Sequence, residues 1–370
     1  MSIMHSWCGM VKRDAAGLLD AMDVVWVLCA ISAIIEAAMK VSELGEFGLI
    51  EVLRGIIPQQ GVAHPLLVGL GDDAAAWQGD GSVVLATTDT LVQGVHFSLA
   101  PVQATWREVG GKSLAVNLSD IAAMGGTPQY ALVALALPGD TEVEEVVQLY
   151  RGMVEAAGRF EVTIAGGNIS RAPVVMITLT VIGQAQGGSL LTRSGARAGD
   201  VIAVTGYLGS SAAGHRMLSQ GLRFDSETAA FLRRAHLQPW PRIDEGKLLV
   251  ACGVRAAIDI SDGLVSDLIH VCRASGVEAR VNVEQVPLHP LVRAAFKEGA
   301  LGLALAGGED YELLFTADPE IIKGIKQKTS CPVTAIGQVV QGEAGRVTLV
   351  DKEGKPFPWE QRGWEHFSGR

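Results

Sequence analysis

"SVVLATTDTLVQGVHF", Ser82 to Phe97, opens as a buried strand and then places oxygens where apolar side chains should continue. Ser82-Val83-Val84-Leu85-Ala86 is apolar and β-branched, Thr87, Thr88 and Asp89 follow at once, and a lone His96 stands beyond them. The pattern predicts a strand over 83–87 that ends on two hydroxyls and a carboxylate. A turn would account for those residue types, because Asp and Thr favour turns. The other reading is a strand that delivers oxygen ligands to a metal ion.

The same combination recurs along the chain. "GLGDDAAAW" carries Asp72 and Asp73 on a glycine turn, and "NLSDIAAMGG" carries Asp120 on a helix shortly before a Gly-Gly stop. "AIDISDG" places Asp259 and Asp262 where a strand breaks, and "AGGEDYELLF" places Glu309 and Asp310 between a glycine pair and a strand. Each alone is more simply a turn or a helix cap. Together, all at the ends of apolar runs, they imply convergence, since packed runs bring their ends together. Converging carboxylates repel and are costly to bury unless cations lie among them. Oxygen donors without His or Cys select hard ions such as Mg2+, which keep coordination positions open for nucleotide phosphates.

Composition bounds the rest. The chain has 370 residues, suited to two domains, with 48% hydrophobic and 19% charged residues, enough to bury large cores. A net charge of −10 argues against a nucleic-acid partner, which needs a basic face. Cys8, Cys29, Cys252, Cys272 and Cys331 form no CxxC pair, so reduced thiols in a cytoplasmic protein are expected, and no zinc site. Val24 to Ile35 is apolar but shorter than the roughly 20 residues of a spanning helix. Asp20 and Asp23 stand where a signal peptide has its positive flank. The text changes at Met39, so residues 1–38 are expected to be a non-native or poorly ordered extension, the alternative being a helix packed on the body.

Strand-like runs at 83–87, 130–137, 162–165, 174–182, 201–205, 256–260, 279–283 and 311–316 interleave with helical periodicity at 105–124, 142–160, 211–219, 242–252, 264–275 and 319–329. The rhythm is not strictly βαβ, so an α+β protein with two mixed-sheet domains is expected. A glycine-rich polar segment at 183–194 sets the boundary near 187, giving domains 39–187 and 188–370. Two phosphate-binding patterns are weak. Gly111-Lys112-Ser113 resembles the tail of a P-loop, but Trp106 stands where that motif needs glycine. "GYLGSSAAG", Gly206 to Gly214, is a strand-to-helix turn able to cradle a phosphate on a helix N-terminus.

"GDDAA", "TTDTLVQGVHF", "KSLAVNLSDIAAMGG", "AGGNISR", "LTRSGARAGD", "GSSAAG", "AIDISDGLVSDL" and "AGGEDYEL" occur in this order. Together they resemble the thiamine-monophosphate kinase family, of the superfamily that includes aminoimidazole ribonucleotide synthetase and selenophosphate synthetase. The resemblance runs from about Val41 to Phe367. It implies ATP-dependent phosphorylation of thiamine monophosphate to thiamine diphosphate, the last step in making that cofactor, by direct in-line transfer. It also implies a homodimer whose N-terminal sheets pair into a barrel, with the N-terminal domain serving metal, ATP and dimerisation. Asp73, Thr87, Thr88, Asp89, Asp120, Asp259 and Asp262 match residues that hold several Mg2+ ions. Gly167, Arg193, Ser261 and, less firmly, Tyr150 match ATP contacts. His96, Glu309 and Trp364 match contacts to the thiamine substrate, with Trp359 competing for the last role. Asp120, Arg193 and Asp259 are the expected catalytic set.

The chain departs from the family twice. Asn168 replaces a usual Asp, which keeps an oxygen for Mg2+ and ATP but loses a charge, and Ser210 replaces a common Asp in the "GSSAAG" turn. The rival readings are another ATP-using member of the superfamily, such as an aminoimidazole ribonucleotide synthetase-like ligase, and a non-catalytic protein that binds ATP and thiamine phosphates. Without the family, His96 reads as a core histidine and Arg193 as a salt bridge between domains.

Overall fold

The computed structural model describes residues 40–57, 64–99, 103–185, 189–359 and 363. The expected extension 1–38, the boundary at 187 and Trp364 lie outside the described residues. The described residues fall into two units, the first holding those before Leu66 and the second those from Leu66 onward. In the first, helix α1 (Val41–Ile56) starts where the Glu43 carboxylate accepts the Lys40 N–H at 2.9 Å, and its path breaks at Gly45, φ 76°.

The second unit contains two mixed sheets. The first has the order β1 (Ala75–Gln78), β2 (Val83–Val92), β5 (Met176–Ala185), β3 (Thr127–Leu137), β4 (Thr163–Arg171), antiparallel except for the β3–β4 pair. Alternation is clear in β5 and over much of β2 and β3. Leu85, Leu91, Val133, Leu135, Ile177, Leu179 and Val181 face inward and are buried, each contributing about 1.5–3 kcal/mol over exposure. The opposite face is open at Tyr130 (50% exposed), Leu132 (42%) and Met176 (36%).

Helix α2 (Trp106–Ala123) covers the inner face. It is apolar or small nearly all round, and it is buried nearly all round. On one side it meets α3 (Val143–Arg159) at Gly110 and Gly152: a Cβ on Gly152 would lie 1.8 Å from the Arg107 carbonyl oxygen. On the other side it meets α6 (Ile243–Ala251) and the second sheet. That sheet has the order β11 (Val347–Val350), β8 (Glu278–Asn282), β10 (Val333–Val340), β6 (Val201–Thr205), β9 (Leu313–Ala317), β7 (Ala256–Asp259), parallel only between β11 and β8. β7 and β9 are buried throughout, with α2 towards one face and α7 (Leu264–Ser275) and α9 (Ala300–Ala306) towards the other. The remaining helices are α4 (Ser210–Gln220), α5 (Ser226–Leu237), α8 (Pro290–Phe296) and α10 (Pro319–Lys328).

The expectation of two mixed-sheet α+β domains holds; the first sheet is open in this chain, with β1 and β4 as its edges. One expectation is corrected. β2 does not end at Thr87: Thr87, Thr88 and Asp89 pair in mid-strand with Val181, Thr180 and Leu179, and the apolar pattern resumes at Leu91. No turn is needed there because β5 satisfies the backbone and α2 supplies partners for the inward side chains.

Candidate active site: an acidic cluster where the two sheets meet

α2 brings the acidic groups together. Thr87 Oγ1 donates to Asp120 Oδ2 at 2.6 Å, Asn117 Oδ1 accepts the Asp89 N–H at 3.0 Å, and Ser119 Oγ donates to Asp259 Oδ2 at 2.6 Å. Neighbouring polar positions on one buried helix thus hold the Asp89 backbone of the first sheet and the Asp259 carboxylate of the second, and contribute a third acid. The charges feel one another. Burial first, then Asp89, Asp259 and Asp73, push Asp120 well above the usual carboxylate range. Burial and Asp73 push Asp259 up to about 8. Such crowding disfavours the charged form unless a cation joins it.

The strand pleat separates Thr88 from its neighbours. Thr87 and Asp89 face α2, whereas Thr88 faces the open side, where it donates to the Leu179 carbonyl oxygen at 3.0 Å. Its hydroxyl cannot join the cluster, and only its backbone remains within reach.

Arg193 closes another side. Its Nε lies 3.0 Å and its Nη2 2.5 Å from Asp73 Oδ1, and its backbone N–H donates to Asp72 at 3.1 Å. Burial, then Asp73, raises Asp72 to about 6. Asp73 Oδ2 is buried and has no hydrogen-bond partner among the described residues. An orphaned carboxylate oxygen among oxygen-only donors fits a hard divalent cation. Among the described residues no three His, Cys, Asp or Glu side chains form a ready-made metal site. Mg2+ is commonly held by one or two carboxylates, with waters and substrate phosphates completing the shell, so the donor set still fits.

The second sheet adds two loops that lie against each other. The Glu309 N–H donates to the Ser261 carbonyl oxygen at 2.8 Å and the Tyr311 N–H to that of Ile260 at 2.9 Å. Glu309 (φ 65°) and Tyr311 (φ 51°) both adopt the left-handed region, a strained conformation for side-chain-bearing residues that tends to mark functional segments. Asp267, buried at the start of α7, accepts the N–H groups of Asp262 and Gly263 at 3.2 and 3.1 Å and so fixes the loop that presents Asp262. Burial first, and then Asp262, raise its carboxyl far above the usual range. Asp310 accepts the N–H groups of Gly209 and Ser211 at 2.6 and 3.1 Å. The turn read as a phosphate cradle is therefore already capped by the chain's own carboxylate.

Other expected residues stand apart. Gly167 and Asn168 lie on the exposed edge strand β4. In the register Asp89–Leu179–Val133–Gly167, three strand spacings, about 14 Å, separate Gly167 from Asp89. Tyr150 is half-buried on α3 against the hydrophobic core. His96 is half-buried beyond β2, with Nδ1 accepting the Val92 N–H at 3.0 Å. A surface groove of about 490 Å3 opens near Thr105, Arg107 and Gln148 and is lined by none of the clustered aspartates.

The sequence reading missed Asn117, Ser119, Lys112, His236 and Asp267. Lys112 and His236 flank Glu309: Lys112 Nζ lies 2.7 Å from Oε1 and His236 Nδ1 3.3 Å from Oε2. Two had a signal: Lys112 stood in the rejected Gly111-Lys112-Ser113 pattern, and Asp267 five residues after Asp262 in "SDGLVSDL".

Two mixed sheets meeting over a helix that gathers carboxylates and an arginine define a class of phosphate-handling protein. The family models described as AIR synthase related protein, N-terminal domain and C-terminal domain match residues 71–185 and 197–350. The thiamine-monophosphate kinase of Aquifex aeolicus is 35% identical over 333 residues, covering 89% of this chain and 100% of that protein. That of Salmonella typhimurium is 40% identical over 311 residues, covering 81% and 92%. A solved structure described as AaThiL complexed with AMPPCP and TMP superposes with a TM-score of 0.78 at 35% identity, covering 89% of this chain and 99% of that one. The chain belongs to the thiamine-monophosphate kinase family.

Proposed function

We propose that the chain transfers the γ-phosphoryl group of ATP to thiamine monophosphate, giving thiamine diphosphate and ADP. The observation that carries this reading is the convergence of Asp73, Asp89, Asp120 and Asp259 beside Arg193, in a chain collinear with kinases of that name over most of their length. Mg2+, when bound by Asp73, Asp89, Asp120, Asp259 and Asp262, supplies the positive charge that lets two anionic phosphates approach. The chain's own residues do the rest. Arg193 adds a fixed guanidinium for the nucleotide phosphates, and Ser261 lies on the loop beside them. Thr87, Asn117, Ser119 and Asp267 orient the carboxylates and the loop before substrate arrives. A terminal oxygen of thiamine monophosphate is ionised at neutral pH and attacks the γ-phosphorus directly. The bond to the bridging oxygen breaks, its electron pair leaves with ADP, and no general base is required.

His96, Glu309 and Trp364 are proposed to hold the thiamine end. Gly167, Asn168 and Tyr150 are proposed for the nucleotide. The distance of Gly167 and Asn168 from Asp89 along the sheet means that a second copy must bring the β4 edge to this cluster if they serve the same phosphates. The apolar outer face of the first sheet, at Tyr130, Leu132 and Met176, supports pairing of two such sheets into a barrel. Domains 39–187 and 188–370 would then divide the work, the first binding metal, ATP and the second copy.

The test is direct. Purified protein with Mg2+, ATP and thiamine monophosphate should form thiamine diphosphate in step with ADP. Failure to form it, with ATP hydrolysis stimulated by formylglycinamidine ribonucleotide instead, would assign a ligase reaction. ATP binding without turnover on either would assign a sensor.

A further inference from the structure

Lys112 is among the largest fully buried side chains of the described residues, and the transfer reaction derived above does not use it. A buried ammonium persists only where an anion meets it. Its one anionic contact is Glu309 Oε1 at 2.7 Å, and Nζ has no other hydrogen-bond partner among the described residues. Glu309 keeps 27% of its side-chain surface open, while Lys112 behind it keeps none. The far oxygen, Oε2, meets His236 Nδ1 at 3.3 Å. We propose that Lys112 and His236 are positioning residues for Glu309, gripping its two oxygens from behind and leaving the open face of the carboxylate aimed at the thiamine end of the acceptor. This rests on the reading of Glu309 as an acceptor contact.

The geometry requires each part. Backbone bonds to the Ser261 loop set where Glu309 emerges, but they leave its side chain free to rotate. Two contacts to two oxygens fix the carboxylate plane, which a single contact would not. Lys112 comes from α2, which also carries Asp120, so the acceptor contact and the acidic cluster are braced by one helix. Burial alone would push the Glu309 carboxyl up, and Lys112 and His236 hold it below its ordinary range. Burial, then Lys112, drives the imidazole of His236 down to about 3, so it is neutral here, and with its proton on Nδ1 it can donate to Oε2. Ser211 Oγ lies 3.1 Å from the same nitrogen. The other titratable neighbours are His215, whose ring stands 5.3 Å from that of His236, and Asp310 and Tyr311 along the chain.

The experiment measures KM for thiamine monophosphate and for ATP between pH 6 and 9, each as a ratio to wild type, so that titration of the substrates cancels. In Lys112→Met the carboxyl of Glu309 loses its cation and protonates more readily. The KM ratio for thiamine monophosphate should then be roughly tenfold larger at pH 6 than at pH 9, with KM for ATP within about twofold of wild type. In Lys112→Met/Glu309→Gln the ratio should not change with pH. His236→Phe should raise KM for thiamine monophosphate several-fold and leave that for ATP in place. Equal rises for both substrates in Lys112→Met, or a ratio flat with pH, overturn the proposal and make Lys112 a packing residue. If Lys112→Met does not fold, His236→Phe decides, and an unchanged KM overturns it. A kinase in which Glu309→Gln leaves KM for thiamine monophosphate unaltered would remove the acceptor contact, and this role with it, while the reaction stands. A wild type that binds ATP but does not phosphorylate thiamine monophosphate would overturn the reaction itself.

Discussion

Asp120 occupies a position where a charge is costly and an amide of the same shape is not. Burial and three neighbouring carboxylates oppose its ionisation, so Asp120→Asn removes a repulsion from the metal-free protein. The variant should unfold at an equal or higher urea midpoint without Mg2+, yet lose about two to three orders of magnitude in kcat, a loss typical of removing one transition-state charge partner. A variant within tenfold of wild type would make Asp120 a helix residue only. Asp310 gives a pH signature. Burial raises its carboxyl to about 7, against the N–H groups of Gly209 and Ser211 that lower it. The folded state therefore binds this proton more tightly than the unfolded chain, and stability present near pH 4 is lost as pH rises through 7. Asp310→Asn should flatten that part of the urea-midpoint profile, worth on the order of 1–3 kcal/mol between pH 5 and 8. The acidic residues were legible in the sequence because each one interrupts an apolar run. Asn117 and Ser119 were not, because on a helix buried all round no polar face exists against which a functional side chain stands out.

At the scale of elements, the strands read best where the apolar pattern was unbroken: β6, a continuous buried run, was predicted at its observed bounds, and β5, with period two throughout, within a few residues. β2 was cut short because three polar residues look like an end when their partners, on β5 and α2, are distant in sequence. β10 was missed because Gly337 sits at a register shift that breaks its alternation. α5 was missed too, a helix whose start is marked only by the Asp225 side chain accepting the N–H groups of Glu227 and Thr228. The α2–α3 contact makes a prediction of its own. Gly152→Ala forces a methyl into the Arg107 carbonyl and must push the helices apart. It should cost about 1–3 kcal/mol by urea unfolding. It should also lower kcat, because the displaced helix carries Asp120. Full stability together with full activity would mean the helices separate freely.

At the scale of the whole molecule, the outer face of the first sheet leaves Leu132 and Tyr130 in solvent on a central strand. If two copies close over that face, Leu132→Glu should convert a species of twice 38.9 kDa into one of 38.9 kDa in sedimentation. It should also lower turnover, since the β4 edge would no longer reach a second cluster. A wild type that sediments as a monomer at full activity would remove the barrel from the reading. α2, the wall shared by both sheets, carries a consequence for how the protein fails. Asp89 comes from one sheet, Asp259 from the other, and Asp120 from the wall between them, so neither half holds the catalytic groups alone. On heating, activity should therefore be gone once either half has melted, no later than the first loss of helical signal, with no half-melted species that still turns over, and a cell would meet this enzyme as either whole or inert.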